Sequence, residues 1–141
     1  MAEQTPARRP AFRVTSVTIG APVPSKLAVF YAEMLGWTIT ADDPALPGDP
    51  PEAGWAQLRP PGGQTGPTLN FEYEAQFARP AWPARPGEPV ATEHLDIAVA
   101  RLDEGVAWAV AAGATLAEFQ PQDDVRVLFD PAGHPFCLYV P

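Results

Sequence analysis

The sequence predicts an α+β domain of two β-α-β-β-β modules, whose half-sheets form a curled mixed sheet around a cleft, with the helices on its outer face. Three observations lead there. First, the pattern repeats: SVTIGAPVPS (16–25) parallels HLDIAVARLD (94–103), LGWT (35–38) parallels AGAT (112–115), and LRPPGG (58–63) parallels LFDPAGH (128–134). An offset of about 70–78 residues marks a duplicated unit. Second, each copy carries one helix that stops at a glycine. Third, the rest consists of short runs rich in β-branched and aromatic residues, separated by Pro/Gly turn chemistry. An unrepeated α+β domain with a coincidental order of elements is the alternative.

Residues 12–21 (FRVTSVTIGA) read as a strand. Ser25 is placed to cap a helix over 26–35, where Leu27, Phe30, Tyr31, Met34 and Leu35 fall at i, i+3, i+4, i+7 and i+8 on one face. Gly36 supplies the left-handed cap. Strands follow over 37–40, 55–59 and 68–74, with a Pro/Gly/Asp loop over 42–54 and a turn over 60–67. The proline-rich stretch 75–90 is a connection. The second module repeats the order. It has a strand over 93–99 and a helix from 102 to 112, with Asp103 as its cap and Glu104 in the first turn. Strands over 115–119, 125–130 and 136–140 complete it. Trp37 and Trp108 lie in regular elements and read as packing. The expected division is a single domain over 12–141, with module 1 at about 12–74 and module 2 at about 93–141, after a flexible N-terminal segment, 1–11.

Composition narrows the function classes. The 141 residues fit one domain that needs no disulfide or structural metal. The single cysteine, Cys137, excludes an intrachain disulfide and a Cys-rich zinc site. A net charge of −8 with no Lys/Arg run argues against nucleic acid as a partner. The polar opening stretch and the lack of any apolar run near the length of a span predict a cytoplasmic protein without a membrane partner. The sequence has no G-x-S-x-G, G-x-x-x-x-G-K-[ST] or G-x-G-x-x-G motif, so serine hydrolase, P-loop and dinucleotide chemistry have no support.

Strand alternation selects the side chains that face the cleft. In EHLDIAV, Leu95, Ile97 and Val99 point to the helix, and His94, Asp96 and Ala98 point into the cleft. His94 and Asp96 are suited to bind a ligand or shuttle a proton; a histidine at a strand end satisfied by backbone is the plainer alternative. In TLNFEYE, Leu69, Phe71 and Tyr73 share one side, and Asn70, Glu72 and Glu74 the other. Glu72 is then either a base or ligand in the cleft or part of a solvated face. Trp82, held among prolines, forms either a wall for a flat ligand or an anchor for its loop. Trp55 opens a strand and has the same two readings. His134, between a glycine and a proline, reads as turn chemistry.

The segments FYAEMLGW (30–37), HLDIAV (94–99), AAGAT (111–115) and DPAGHPFCLYV (130–140) together resemble the vicinal oxygen chelate superfamily. That superfamily includes glyoxalase I, bleomycin-resistance proteins and extradiol dioxygenases, and the likeness is strongest to its small bacterial glyoxalase-like proteins. The resemblance implies four inward positions that hold a divalent metal in metal-using members. Here they fall on Ser16, on Asn70 or Glu72, on His94 and on Cys137. Serine and asparagine are weak ligands, so no complete metal site and no cofactor are expected. A divalent metal on His94, Glu72 and Cys137 is the lesser alternative, since zinc accepts N, O and S donors.

The sequence thus points to a protein that binds a small, partly aromatic or hydrophobic molecule through Ser16, Thr18, Asn70, Trp82, Asp96 and Cys137. The alternative is a glyoxalase-type lyase or isomerase acting on a small oxygenated substrate, with His94 as base or metal ligand and Glu72 assisting. A homodimer is a possible assembly.

Overall fold

The computed structural model describes residues 8–62 and 64–141. Residues 1–7 of the expected N-terminal segment, and Gly63 of the expected turn, lie outside them. β1 (Ser16–Ala21) buries Ile19 and Ala21 and turns Thr18 to the other face. It starts later than expected: Phe12 and Val14, which precede it, are 83% and 77% exposed. α1 (Pro24–Leu35) buries Leu27, Ala28, Phe30 and Tyr31, with Met34 and Leu35 packed beside them, the face that the spacing predicted. Its cap differs from expectation. Val23 is the N-cap, no side chain caps it, and Ser25 lies inside the first turn. Pro24 starts the helix instead, where a missing N–H costs nothing and the fixed φ suits the turn. Gly36 closes the helix at φ 71°, donating its N–H to the Ala32 carbonyl at 2.9 Å.

β2 (Thr38–Asp43), β3 (Trp55–Arg59) and β4 (Thr68–Tyr73) complete the first sheet in the order β1-β4-β3-β2. β1 and β4 run parallel, and β3 is antiparallel to both β4 and β2. The second module repeats this order as β5-β8-β7-β6, built from β5 (Asp96–Ala98), β6 (Thr115–Leu116), β7 (Val125–Phe129) and β8 (Pro135–Tyr139). β5 and β8 are its parallel pair. Two four-stranded mixed sheets with the same strand order are the structural form of the repeat. β5 and β6 are shorter than expected, so His94 lies just before its strand.

α2 (Leu102–Ala112) also departs from the expected cap. Arg101 is its N-cap, and Asp103 sits in the first turn, where Oδ1 accepts the Glu104 N–H at 3.0 Å. Gly105 lets this helix approach the second sheet: a Cβ there would lie 3.1 Å from a Val99 methyl and 3.4 Å from Leu138. Trp108 is not packing, as its position suggested. It is 64% exposed, and its indole N–H donates to the Met34 carbonyl at the end of α1.

The core joins the two modules through α1. Tyr31 stacks on Phe71 of β4 with ring centroids 5.6 Å apart, and Phe30 and Tyr31 each lie 6.2 Å from Phe136 of β8. Leu58, Leu69, Leu128 and Leu138 fill the space around these rings. Each sheet therefore buries one face, and the polar side chains of alternate positions collect on the other. No helix among the described residues is long and apolar enough to cross a membrane.

Candidate functional site

Strand register sorts the polar positions into three groups. On the first sheet, Asp43 lies opposite Trp55, Trp55 opposite Glu72, and Glu72 opposite Gly20. Directly opposed residues point to the same face. Trp55 therefore stands between two carboxylates, on the face away from α1. The row borders an open cavity of about 390 Å³, which is also lined by Pro44, Leu46, Asp49 and Tyr73. No basic side chain is among its lining residues.

One row along, Thr18 faces Asn70, and Asn70 faces Gln57. The Asn70 side-chain oxygen accepts from Gln57 Nε2 at 3.0 Å, and Gln57 Oε1 accepts from the Thr40 hydroxyl at 3.0 Å. This chain of amides and hydroxyls occupies Asn70.

The second group lies on the other sheet. Asp96 and Cys137 are parallel-strand neighbours, and the Cys137 N–H bonds to the Leu95 carbonyl at 2.8 Å. His94 Nε2 lies 3.4 Å from Asp96 Oδ1. One ligand atom from each of His94, Asp96 and Cys137 falls within 4.8 Å of the other two. They line a cavity of about 420 Å³ together with Gln122, Asp124 and Tyr139. Burial pushes the Cys137 thiol pKa up, and the charge and hydrogen bond of Asp96 push it further the same way. The alternation expected for EHLDIAV holds: Leu95, Ile97 and Val99 pack on the core, and His94, Asp96 and Ala98 are exposed.

The third group is buried. Asp130 accepts the Tyr31 hydroxyl at 2.8 Å, the backbone N–H of Ala132 at 2.9 Å and that of His134 at 3.0 Å. His134 Nδ1 lies 2.9 Å from the same carboxylate, and its Nε2 lies 2.9 Å from the Gly20 carbonyl on β1. Acceptors on both sides of one imidazole call for a proton on each nitrogen. Burial alone would lower the His134 pKa. The hydrogen bond and charge of Asp130, the charge of Glu93 and the Gly20 carbonyl outweigh it, and the pKa rises. Burial first, then Asp130, holds the Tyr31 hydroxyl pKa well above its ordinary value. Glu93 stands beside this group with its Oε1 buried and unpartnered among the described residues. Burial raises its pKa, and the Asp130 charge adds to that against the opposing pull of His134 and His94. Thr18, Gly20, Glu74, Phe77, Glu93 and His134 all border a third cavity, of about 450 Å³.

The candidate residues are therefore distributed. His94, Asp96 and Cys137 come together, and Glu72 lines a different cavity. Ser16 borders none of the three cavities, and Thr18 borders the third. Trp82 borders none of them either: its indole rests on Phe119 and Phe129, with centroids 5.9 and 6.1 Å away. That contact packs the proline-rich connection against the second module. The four positions that the superfamily resemblance assigns to a metal do not fit one. Ser16 offers a hydroxyl, Asn70 is occupied by Gln57, and Glu72 is in a separate cavity from His94 and Cys137. Sequence reading missed the assembly around Asp130, although the Asp-Pro-x-Gly-His turn was its visible signal.

Two β-α-β-β-β modules with this strand order define the chain as a protein of the vicinal oxygen chelate fold. It belongs to the glyoxalase-like domain family, which matches residues 16–139. Among solved structures, it is similar to a glyoxalase family protein from Enterococcus faecalis, at 23% identity and a TM-score of 0.63, covering 90% of this chain and 96% of that one. It is similar to TnmS3, an antibiotic binding protein from Streptomyces sp. CB03234, at 20% identity and a TM-score of 0.57, with 95% and 99% covered. It is also similar to a glyoxalase/bleomycin resistance protein/dioxygenase family enzyme from Burkholderia phytofirmans PsJN, at 19% identity and a TM-score of 0.59, with 88% and 94% covered. No curated protein matches the sequence.

Proposed function

We propose that this glyoxalase-like protein binds a small, partly aromatic or hydrophobic molecule, one that carries a positive charge or hydrogen-bond donors. The observation that carries this reading is the row Asp43–Trp55–Glu72 and the cavity it borders. Its volume of about 390 Å³ suits a small ligand, and Trp55, Tyr73, Leu46 and Pro44 form apolar walls. The carboxylates at the edges of the indole favour a cation over its face. The fold is shared with an antibiotic binding protein, which is consistent with this reading. The lyase or isomerase alternative needs His94 and Glu72 at one substrate, and their separate cavities weigh against it.

The test is a thermal-shift screen of planar aromatic cations beside neutral and anionic counterparts, followed by calorimetric titration. Trp55→Ala should weaken binding by on the order of 2 kcal/mol, about thirtyfold in Kd. Glu72→Gln should cost less, with an effect that shrinks as salt rises. If cations, neutral compounds and anions bind alike, or Trp55→Ala binds as tightly as the parent, the assignment is wrong.

A further inference from the structure

We propose that residues 8–15 of one copy of this chain dock in the Trp55 cavity of a second copy, with Phe12 against the indole and the arginines against its carboxylates, so that two copies exchange these segments. The inference rests on the reading of that cavity as a site for apolar cations, and it names the occupant that the chain itself supplies. Two unpartnered surfaces match in chemistry. The segment before β1 carries Arg8, Arg9 and Arg13, three of the nine Lys and Arg residues in a chain of net charge −8. The cavity presents Asp43, Asp49 and Glu72, with no basic side chain among its lining residues. The apolar groups correspond as well. Phe12, Val14 and Leu46 are the three most exposed large hydrophobic side chains among the described residues, at 83%, 77% and 71%. Two of them belong to the segment, and Leu46 lines the cavity. A phenyl ring beside a guanidinium is the apolar cation that an indole flanked by carboxylates selects.

Reach assigns the cavity to another copy. The Thr15 carbonyl accepts the Thr68 N–H at 3.0 Å, which holds the chain to the sheet where β1 and β4 begin. The carboxylate–indole row crosses β1 at Gly20, five residues further on, about 17 Å along the strand. Trp55 stands on β3, two strands to the side of β1, a further 9–10 Å or about that. Even turned straight back and fully extended, the backbone from Thr15 to Phe12 spans at most about 11 Å and stops short of both. The segment instead lies open to solvent, with every residue from 8 to 15 exposed. A second copy meets no such limit, and reciprocal exchange closes the pair by twofold symmetry. Segment and small ligand then compete for one cavity, so apparent ligand affinity falls as the chain concentration rises into the range of the dimer.

The experiment is sedimentation velocity on the full chain over a range of concentrations, at low and at high salt. The chain should dimerise, and more weakly as salt rises. Phe12→Ala should weaken the dimer about tenfold, as truncating an aromatic anchor does. A chain with both Arg9→Glu and Arg13→Glu should weaken it through the segment, and Glu72→Arg through the cavity. These side chains are all exposed, so the melting temperature of each variant, measured on dilute monomer, should match the parent. The decisive sample mixes the Arg9→Glu/Arg13→Glu chain with the Glu72→Arg chain. Each is repelled by its own kind, but the mixture pairs opposite charges at both contacts and should associate more tightly than either component. A chain that stays monomeric, variants that dimerise as tightly as the parent, or a mixture no tighter than its components overturns the inference. Titration of small planar cations into the dilute, monomeric chain judges the cavity as a ligand site separately, so the two readings fail on different measurements.

Discussion

Replacing Asp130 tests whether one buried carboxylate fastens the second module to the first. Asp130 is 2% exposed and accepts from the Tyr31 hydroxyl, two backbone N–H groups and the His134 ring. His134 passes the connection on to the Gly20 carbonyl of β1. Asp130→Ala leaves a buried phenol and a buried imidazolium without their acceptor. Breaking a buried pair from one side costs about 3–5 kcal/mol, a large part of the roughly 5–15 kcal/mol that holds a domain together. At about 2–4 °C per kcal/mol for a chain of this size, the melting temperature should fall by roughly 6–20 °C.

Asp130→Asn separates charge from shape. The amide oxygen can keep the two backbone donors, and its NH₂ can serve a neutral His134 and the Tyr31 oxygen, so the cost should drop to about 1–2 kcal/mol. The pH profile then becomes diagnostic. His134 has a raised native pKa, so its contribution is fully present below the ordinary histidine value near 6.5 and is lost as pH rises through the native value. Without the carboxylate that contribution disappears at every pH. The gap between parent and Asp130→Asn, from urea unfolding followed by tryptophan fluorescence, should be widest near pH 6 and narrow toward pH 9. An Asp130→Ala loss under about 1 kcal/mol, or a gap that stays constant with pH, would refute the reasoning.

Two further outcomes follow from neighbouring groups. Glu93→Gln should raise stability at pH 8 and do less at pH 4: a carboxyl whose native pKa is raised stabilises the fold below its unfolded value and loses that as pH climbs. Urea unfolding at the two pH values reads the difference, and a destabilised variant at pH 8 would count against the burial argument. Trp82→Ala should lower stability by about 1–3 kcal/mol through its lost contacts with Phe119 and Phe129, leaving ligand affinity at the Trp55 cavity unchanged. A ligand-affinity loss in that variant matching the one in Trp55→Ala would favour the wall reading of Trp82 over the anchor reading.

The parts of the fold that were legible are those written in local period. The face of α1 follows from the spacing of Leu27, Phe30 and Tyr31, and the cleft side of EHLDIAV follows from alternation. Helix starts were less legible, because Ser25 and Asp103 are good caps by type, whereas the observed N-caps, Val23 and Arg101, each lie two residues earlier. Trp82 illustrates a different limit. Its prolines hold an aromatic rigidly, but what it meets depends on Phe119 and Phe129, some forty residues away in sequence.

Site composition depends on register, which single strands do not encode. Alternation places Glu72 and His94 each on a polar face, but only pairing decides their neighbours. In β3–β4 the pairing sets Trp55 beside Glu72, and in β5–β8 it sets Asp96 beside Cys137. A slip of one residue in either ladder would send these side chains to the buried face and bring Leu or Phe out in their place. The burial of Leu69 and Phe71 in one sheet, and of Leu138 and Phe136 in the other, opposes that slip. The apolar positions therefore specify the polar sites indirectly: the core selects the register, and the register assembles a carboxylate–indole row on one sheet and a nitrogen–oxygen–sulfur cluster on the other.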